Sequence, residues 1–282
     1  MASVTGVPEI ERVLEELPEP PGRGVNRGEW GIVWRADGPP RPVVFKVVEA
    51  WAVTEGDLRL GRIDDALRYS PSEGAPVLLF GAALVGSSLV AVGGGLWPGK
   101  IPFEYDKVLK DKVRKARKRW NKGVGRFLPL EPRRQEADYV RFIEGALGIG
   151  NTSEVGMKGK RQDITIVPTA DVAWIVHEIG HAAGLHHEHN RSDRDSYITI
   201  LKENIIDEYE DHFDPYLSNS KDHGAYDFES IMHYPPINEF GTGPTFEVTD
   251  HGRKQYGREP DFRQETLSPG DEAALQHLYG VT

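Results

Sequence analysis

The sequence predicts an α+β protein with a small β-rich region over residues 1–95 and a larger domain over residues 96–282. Two observations predict this organisation. Strand-like runs rich in Val, Phe and Trp dominate the first third and end near the glycines at 93–95, whereas strands and helical periodicity mix beyond residue 97. The 38% hydrophobic and 28% charged residues are typical of a globular protein that buries a core.

The N-terminal region contains one expected helix and several expected strands. Residues 10–17 (IERVLEEL) predict a short acidic helix, and the PPGRG stretch that follows predicts a turn. Strands are expected at Gly31–Arg35, at Pro42–Val53 and, as two buried strands, within 77–93. The apolar stretch Val77–Trp97 approaches the length of a membrane-spanning helix, but a Gly-Ser-Ser break and a glycine triplet favour strands. We therefore expect no association with a membrane.

The second region mixes strands with two helices. The expected elements are strands at Ile101–Tyr105, Tyr139–Ile143 and Ile164–Pro168, and helices at Lys107–Lys122 and Val172–Ala183. In the first helix Leu109, Val113, Ala116 and Trp120 form one apolar stripe at helical spacing. The nine Lys and Arg residues of this helix are interpreted as a solvated face of an acidic protein, with a surface for an anionic partner as the alternative.

Charge and cysteine content exclude several classes of protein. The net charge of −10 argues against a nucleic-acid binder, which normally carries a basic face. The absence of cysteine excludes disulfides, thiol catalysis and Cys-type zinc sites, so a metal site must use His, Asp, Glu or Tyr. Ten histidines are present, and five of them fall between residues 177 and 189. This crowding indicates a metal site.

The histidine cluster begins on the second predicted helix. His177 and His181 lie four residues apart, so both imidazoles project from one helical face toward a single ion. Glu178 stands beside the first histidine and can contact a metal-bound water without ligating the metal. Gly184 tolerates the positive φ at which a helix ends and the chain turns back. His187, three residues after this glycine, is thereby delivered to the same ion.

Three neutral imidazoles with an open position are typical of a catalytic zinc site, whereas structural zinc sites are closed by four protein ligands. The expected cofactor is therefore Zn²⁺, which lowers the pKa of its water toward neutrality and polarises a scissile carbonyl. Glu178 is the expected base, taking the proton of the water and returning it to the leaving amine. His186 and His189 are alternatives for the third ligand, and the spacing from Gly184 favours His187.

Beyond the histidines, the sequence resembles the astacin family of metzincin metallopeptidases. The matching segments are VHEIGHAAGLHHEHNRSDRD from Val176, SIMHY at Ser230–Tyr234 with YDF at 226–228, WPGKIPFEY from Trp97 and LSPGDEAALQHLYG from Leu267. The resemblance covers about residues 97–282. It implies a two-lobed metzincin fold, with a sheet and active-site helix above an irregular lower lobe. It also implies zinc-dependent hydrolysis of internal peptide bonds in protein or peptide substrates.

The resemblance also implies roles for residues outside the helix. Met232 would form an apolar floor beneath the imidazoles. Tyr234 would be a further zinc ligand at rest and a donor to the oxyanion during turnover, with an ordinary half-buried tyrosine as the alternative. Glu188 would receive the new N-terminus after activation, with pairing to Arg191 as the alternative. Substrate would pair as an extended strand with a sheet edge near Asn151–Val155.

The segment Thr54–Leu58 (TEGDL) is similar to the pro-segment motif of astacin zymogens, although Thr54 stands where an aromatic residue is usual. The resemblance implies that residues 1–95 are an inhibitory pro-region and that Asp57 coordinates the zinc only in the zymogen. A carboxylate is a good zinc ligand, and Gly56 permits close backbone approach. An ordinary turn aspartate is the alternative. An activating protease would then cut between about residues 80 and 97.

Two departures from the family affect localisation and function. The family's disulfides are absent, and no apolar core of a secretory signal is visible near the N-terminus. The family resemblance favours secretion, and these two departures argue against assuming it. A catalytically silent zinc-binding interaction protein is the alternative function, although the presence of Glu178 argues for catalysis. The serralysin branch of the metzincins is disfavoured because no glycine-aspartate calcium repeats follow the domain.

Overall fold

A computed structural model describes residues 3–4, 29–33, 41–48, 51–54, 57–62, 67–69, 77–80, 82–85, 88–91, 95–146, 150–214 and 222–281. The chain divides into two compact units. The first contains Met1–Gly93, and the second contains Gly94–Tyr216 and Ser220–Thr282. The expected acidic helix at 10–17 lies outside the described residues.

The first unit is built from short strands. They are β1 (Ser3–Val4), β2 (Glu29–Val33), β3 (Arg41–Val48), β4 (Trp51–Thr54), β5 (Leu58–Arg62), β6 (Leu67–Tyr69), β7 (Val77–Phe80), β8 (Ala82–Val85) and β9 (Ser88–Ala91). Seven of them form one sheet in the order β1-β6-β7-β2-β3-β4-β5, and β8 and β9 form a separate antiparallel pair. The described residues of this region therefore lie almost entirely in β-strands, which agrees with its predicted β-rich character.

For two sequence runs in this unit, the predicted number of strands was wrong. The run predicted as a single strand over Pro42–Val53 is the hairpin of β3 and β4, in which Val48 pairs with Trp51 across a two-residue connection. That connection contains neither Gly nor Pro, so the apolar run carries no turn signal. The run at 77–93 forms three short strands instead of two, because β7 pairs with β2 and β6 whereas β8 pairs with β9.

The described residues of the second unit form the remaining strands and four helices. They are β10 (Ile101–Tyr105), α1 (Lys110–Gly123), β11 (Leu130–Pro132), β12 (Tyr139–Glu144), β13 (Arg161–Ile166), α2 (Val172–Ala183), β14 (Ile198–Ile200), β15 (Phe246–Val248), α3 (Asp250–Tyr256) and α4 (Pro269–Leu278). A 3₁₀ turn at Lys107–Leu109 leads into α1. Both predicted helices and the strand at Ile101–Tyr105 are confirmed.

A four-stranded sheet in the order β11-β10-β12-β13 carries the helices of this unit. Its strands pair in parallel, and an antiparallel bridge between Thr152 and Thr165 adds a short segment beside β13. Strand β13 begins three residues before the predicted start at Ile164, because the polar residues Arg161–Asp163 pair with β12 through their backbones. A prediction based on apolar residues alone misses such a strand end.

One apolar core joins the sheet to α1 and α2. Helix α1 contributes the predicted stripe, in which Leu109 is 2% exposed and Val113, Ala116 and Trp120 are fully buried. The Trp120 indole N–H donates to the Leu128 carbonyl over 2.9 Å, which satisfies its one polar atom inside the core. Helix α2 is buried on all sides from Ile175 to Ala183, so polar side chains in this span lie in the interior.

The chain after α2 is mostly irregular, as predicted. It contains several 3₁₀ turns, the two-stranded antiparallel sheet of β14 and β15, and the helices α3 and α4. A second aromatic cluster packs Phe228 and Phe246 against Tyr226. Helix α4 starts with a capping box in which Ser268 and Asp271 bond each other's backbone N–H groups.

Candidate metal centre

The ends of α2 fix the direction in which its histidines point. At the N-terminus, the Asp171 carboxylate accepts hydrogen bonds from the N–H groups of Ala173 at 2.8 Å and Trp174 at 3.2 Å. At the C-terminus, Gly184 adopts a φ of 111°, which only glycine adopts readily, and the chain reverses there. This turn brings His187 back toward α2.

The three predicted histidines meet around one point. The Nε2 atom of His177 lies 3.1 Å from that of His181 and 3.3 Å from that of His187. Their side chains are at most 2% exposed. Two nitrogens bound to one tetrahedral zinc, each at about 2.05 Å, lie about 3.3 Å apart. The observed separations therefore fit a single zinc ion shared by three imidazoles.

The other ring nitrogens fix the orientation of two of these imidazoles. Nδ1 of His177 is 2.8 Å from the Ile231 carbonyl, and Nδ1 of His181 is 2.9 Å from the Leu185 carbonyl. A carbonyl only accepts, so in both rings the proton is on Nδ1 and the Nε2 lone pair faces the common point. This donor set and its backbone partners are those of a zinc site.

Glu178 is fully buried beside His177 on α2. It does not belong to the group whose ligand atoms converge, so it lies beside the candidate ligands and is not one of them. Burial of an ionised carboxylate is costly without a nearby positive charge. A divalent cation held by the three histidines supplies such a charge.

His186 and His189 were the alternatives for the third ligand. His186 does not belong to the converging group. His189 is buried, but its Nδ1 accepts the backbone N–H of Tyr234 at 3.3 Å and its Nε2 lies 3.4 Å from the His212 carbonyl. With both nitrogens engaged by the backbone, His189 has no lone pair left for a metal. His187 therefore remains the candidate with the supporting geometry.

The segment Ser230–Tyr234, called here the Met-turn, lies beneath the histidines. The Met232 side chain is 1% exposed, and a Cβ added to Gly180 of α2 would come within 2.7 Å of its sulfur. Tyr234 is 2% exposed, and its ring centroid is 4.8 Å from that of His187. Tyr234 therefore lies next to the His187 imidazole, and Met232 packs against α2 at Gly180. Their roles in catalysis stay predictions.

Glu188 is held by two partners in this structure. Its Oε1 accepts the Asp227 N–H at 2.8 Å and lies 3.4 Å from Nη1 of Arg191. Burial raises the pKa of Glu188 to about 8. The pair with Arg191 is the alternative that the sequence left open, and the contact with a new N-terminus stays a prediction.

Sequence reasoning missed Asp271 at the start of α4. Its buried carboxylate accepts hydrogen bonds from the Ser230 hydroxyl at 2.6 Å and the Ile231 N–H at 3.0 Å. Burial raises the pKa of Asp271. Because the Ile231 carbonyl accepts from His177, Asp271 supports a histidine through the Met-turn. The Ser-x-x-Asp pattern at 268–271 predicts a helix start, but nothing in it predicts this contact.

Two further predicted features lie in described positions. Asp57 is the residue before β5, in the loop of the β4–β5 hairpin, and its side chain is buried. In the segment 151–155, Thr152 exchanges two backbone hydrogen bonds with Thr165 of β13. This segment therefore borders the four-stranded sheet, as the predicted position of the substrate strand requires.

Comparison with known proteins places the chain in a family. A family model described as Astacin, a peptidase family, matches residues 93–280. Tolloid-like protein 1 of Mus musculus is 34% identical over 195 residues, covering 65% of this chain and 19% of that protein. Flavastacin of Elizabethkingia meningoseptica is 34% identical over 148 residues, covering 52% of this chain and 32% of that protein. The chain thus spans less than a third of the length of these two relatives.

A solved structure shares the fold. High choriolytic enzyme 1, a hatching enzyme zinc-protease from Oryzias latipes, superposes with a TM-score of 0.56 at 24% identity. The match covers 67% of this chain and 94% of that one. The shared fold defines a class of proteins with a zincin-like α+β domain. More narrowly, the chain belongs to the astacin family. This family is zinc-dependent.

The described residues contain no helix long and apolar enough to span a membrane.

Proposed function

We propose that His177, His181 and His187 hold the catalytic zinc of this endopeptidase and that Glu178 transfers the proton. The observation that carries the proposal is the convergence of three buried Nε2 atoms at 3.1 and 3.3 Å. When bound, zinc supplies a Lewis acid for the scissile carbonyl and allows water to act as a nucleophile near neutral pH. Backbone carbonyls on Nδ1 of His177 and His181 keep the Nε2 lone pairs available.

Glu178 and Tyr234 perform the remaining chemistry in this proposal. Glu178 accepts a proton from the attacking water and passes it to the leaving amine, and burial beside His177 keeps competing water away from its carboxylate. The Tyr234 phenol donates a hydrogen bond to the developing oxyanion. Substrate backbone pairs with the segment 151–155 at the sheet edge, which holds the scissile bond above the histidines.

The base is tested after activation by limited proteolysis, by comparing Glu178→Gln with Glu247→Gln on the exposed face of β15. Glu178→Gln keeps the size of the side chain and removes the base, so kcat for casein should fall by about 10²–10⁴-fold while bound zinc is retained. Glu247→Gln should cleave as the unchanged chain does. A Glu178→Gln protein with full activity would overturn the catalytic role and favour the silent zinc-binding alternative.

The ligand set is tested by metal content. His187→Ala removes one of three ligands, so zinc per chain, measured by mass spectrometry of the metal, should collapse. His186→Ala is the matched control and should retain zinc. If His186→Ala loses zinc and His187→Ala keeps it, the third ligand is misassigned.

We further propose that residues 1–95 are an inhibitory pro-region and that Asp57 is its zinc-directed carboxylate. The position of Asp57 in a tight hairpin loop, where Thr54 pairs with Leu58, supports this proposal. Gly95 and Met157 exchange two backbone hydrogen bonds of 2.6 and 2.7 Å. Residues from Gly95 onward are thus tied to the second unit, and the activating protease should cut between about residues 80 and 94.

The switch is tested in the full chain. Asp57→Ala should raise caseinolysis without proteolytic treatment, whereas Asp37→Ala, an aspartate of the same region outside the motif, should leave it unchanged. Equal activity of Asp57→Ala and the unchanged chain would leave this segment without an inhibitory role. Secretion is favoured by the family resemblance, and fractionation of the native host, with detection in medium and cells, tests it.

A further inference from the structure

We propose that His189 is a positioning residue for Tyr234. This inference rests on the oxyanion role proposed above for Tyr234. His189 lies in the short 3₁₀ turn Glu188–Asn190 directly after His187 and is fully buried. The sequence offered it only as an alternative metal ligand, and the structure gives it other partners.

The first set of contacts joins His189 to backbone groups. Its Nδ1 accepts the Tyr234 N–H at 3.3 Å, and its Nε2 lies 3.4 Å from the His212 carbonyl, which can only accept. These partners require the neutral tautomer with the proton on Nε2.

The second contact is between rings. The His189 and Tyr234 centroids are 4.1 Å apart with 27° between their planes, which is a stacked geometry. Phe240 is also nearly parallel to the Tyr234 ring, at 5.3 Å and 30°. Stacked neighbours strongly resist tilting of the phenol ring out of its plane. They resist movement of the ring within that plane far less. His189 therefore defines the plane in which the Tyr234 hydroxyl lies and moves.

The other side of the Tyr234 backbone is held as well. Nδ1 of His233 donates to the Tyr234 carbonyl at 2.7 Å, and its Nε2 accepts the Tyr226 hydroxyl at 2.7 Å. Two buried histidines thus fix the N–H and the C=O of one residue. With the Cα and the ring plane of Tyr234 both fixed, the phenol hydroxyl can move only along a short arc within that plane. This arc lies next to His187, whose ring is 4.8 Å away.

The test separates the two contributions of His189 in the full chain, which is activated by limited proteolysis before each assay. His189→Phe keeps a ring for stacking and removes the Nδ1 acceptor, whereas His189→Asn places an acceptor oxygen near the position of Nδ1 and removes the ring. Zinc content, KM and kcat for a peptide substrate are measured for both variants and for Tyr234→Phe. We expect kcat to fall about tenfold in His189→Phe, with KM and zinc unchanged, and partial rescue in His189→Asn.

A double variant decides whether His189 acts through Tyr234. In the Tyr234→Phe background, His189→Phe should lower kcat by less than about twofold, because the hydroxyl that it positions is already absent. If the losses in kcat multiply in the double variant, the inference is overturned. Loss of zinc in His189→Phe would also overturn it. This includes zinc lost through misfolding, provided that His189→Asn loses zinc as well. If Tyr234→Phe alone retains full kcat, the role proposed for Tyr234 fails, which is a separate outcome.

Discussion

Helices α1 and α2 pack into the same core but follow different rules. Helix α1 buries one stripe, Val113, Ala116 and Trp120, and exposes its cations. Helix α2 is buried on all sides from Ile175 to Ala183, and this span includes two histidines and a glutamate. The hydrophobic effect alone explains α1. It does not explain α2, because buried polar groups lower stability unless they are bonded or bind a ligand.

This difference separates stability from chemistry. The buried polar residues of α2 violate the pattern that α1 obeys, and such violations concentrate at functional sites. Variants in α1 should therefore change the free energy of unfolding and leave turnover per folded molecule intact. Variants in α2 that preserve its packing should lower turnover per folded molecule and leave the free energy of unfolding nearly unchanged. Substitutions of Trp120 in α1 and of Gly180 and Asp171 in α2 test this contrast.

Trp120→Ala in α1 should lower stability most. It removes a fully buried indole and leaves the Leu128 carbonyl without its donor, so the free energy of unfolding should fall by about 3–5 kcal/mol. Urea unfolding followed by far-ultraviolet circular dichroism measures it, and Trp120→Phe is the control that keeps most of the volume. Cleavage per folded, zinc-loaded molecule should stay within about twofold, and a larger loss would break the contrast.

Gly180→Ala in α2 should show the opposite behaviour. Alanine stabilises a helix interior by about 1 kcal/mol relative to glycine, but its Cβ would lie 2.7 Å from the Met232 sulfur. The flexible methionine must move, at a cost of about 0.5–1.5 kcal/mol, so the two terms nearly cancel in the free energy of unfolding. If Met232 forms the predicted floor beneath the imidazoles, moving it disturbs the site, and kcat should fall about tenfold.

Urea unfolding and peptide kinetics on the same preparation measure both quantities for Gly180→Ala. The matched control is Ala116→Gly in α1, which makes the reverse exchange at a fully buried position of the apolar stripe. It should lower stability by about 1 kcal/mol and leave kcat unchanged. An unchanged kcat in Gly180→Ala would show that the position of Met232 has no influence on the chemistry.

The sequence predicted those parts of the fold that depend on local signals. The C-terminal end of α2 followed from Gly184, the shared face of its histidines followed from their spacing, and the stripe of α1 followed from helical periodicity. The hairpin of β3 and β4 was missed because its turn lacks Gly and Pro. The contact of Asp271 with Ile231 was missed because it joins residues 40 apart in the chain. The contact between His189 and the Tyr234 N–H joins residues 45 apart, and no spacing rule connects them.

The smallest expected effect concerns how the two helices begin. Asp171 caps α2 with two side-chain hydrogen bonds, whereas Leu109 at the start of α1 provides none. Asp171→Ala should therefore destabilise the first turn of α2 by about 1 kcal/mol. Amide hydrogen exchange of the peptide that covers residues 172–176 should speed up about fivefold. Lys115→Ala on the exposed face of α1 is the control and should change stability by less than about 0.5 kcal/mol. Because His177 lies beyond that first turn, kcat should stay unchanged in both variants. A fall in kcat in Asp171→Ala would mean that the cap also positions the histidines.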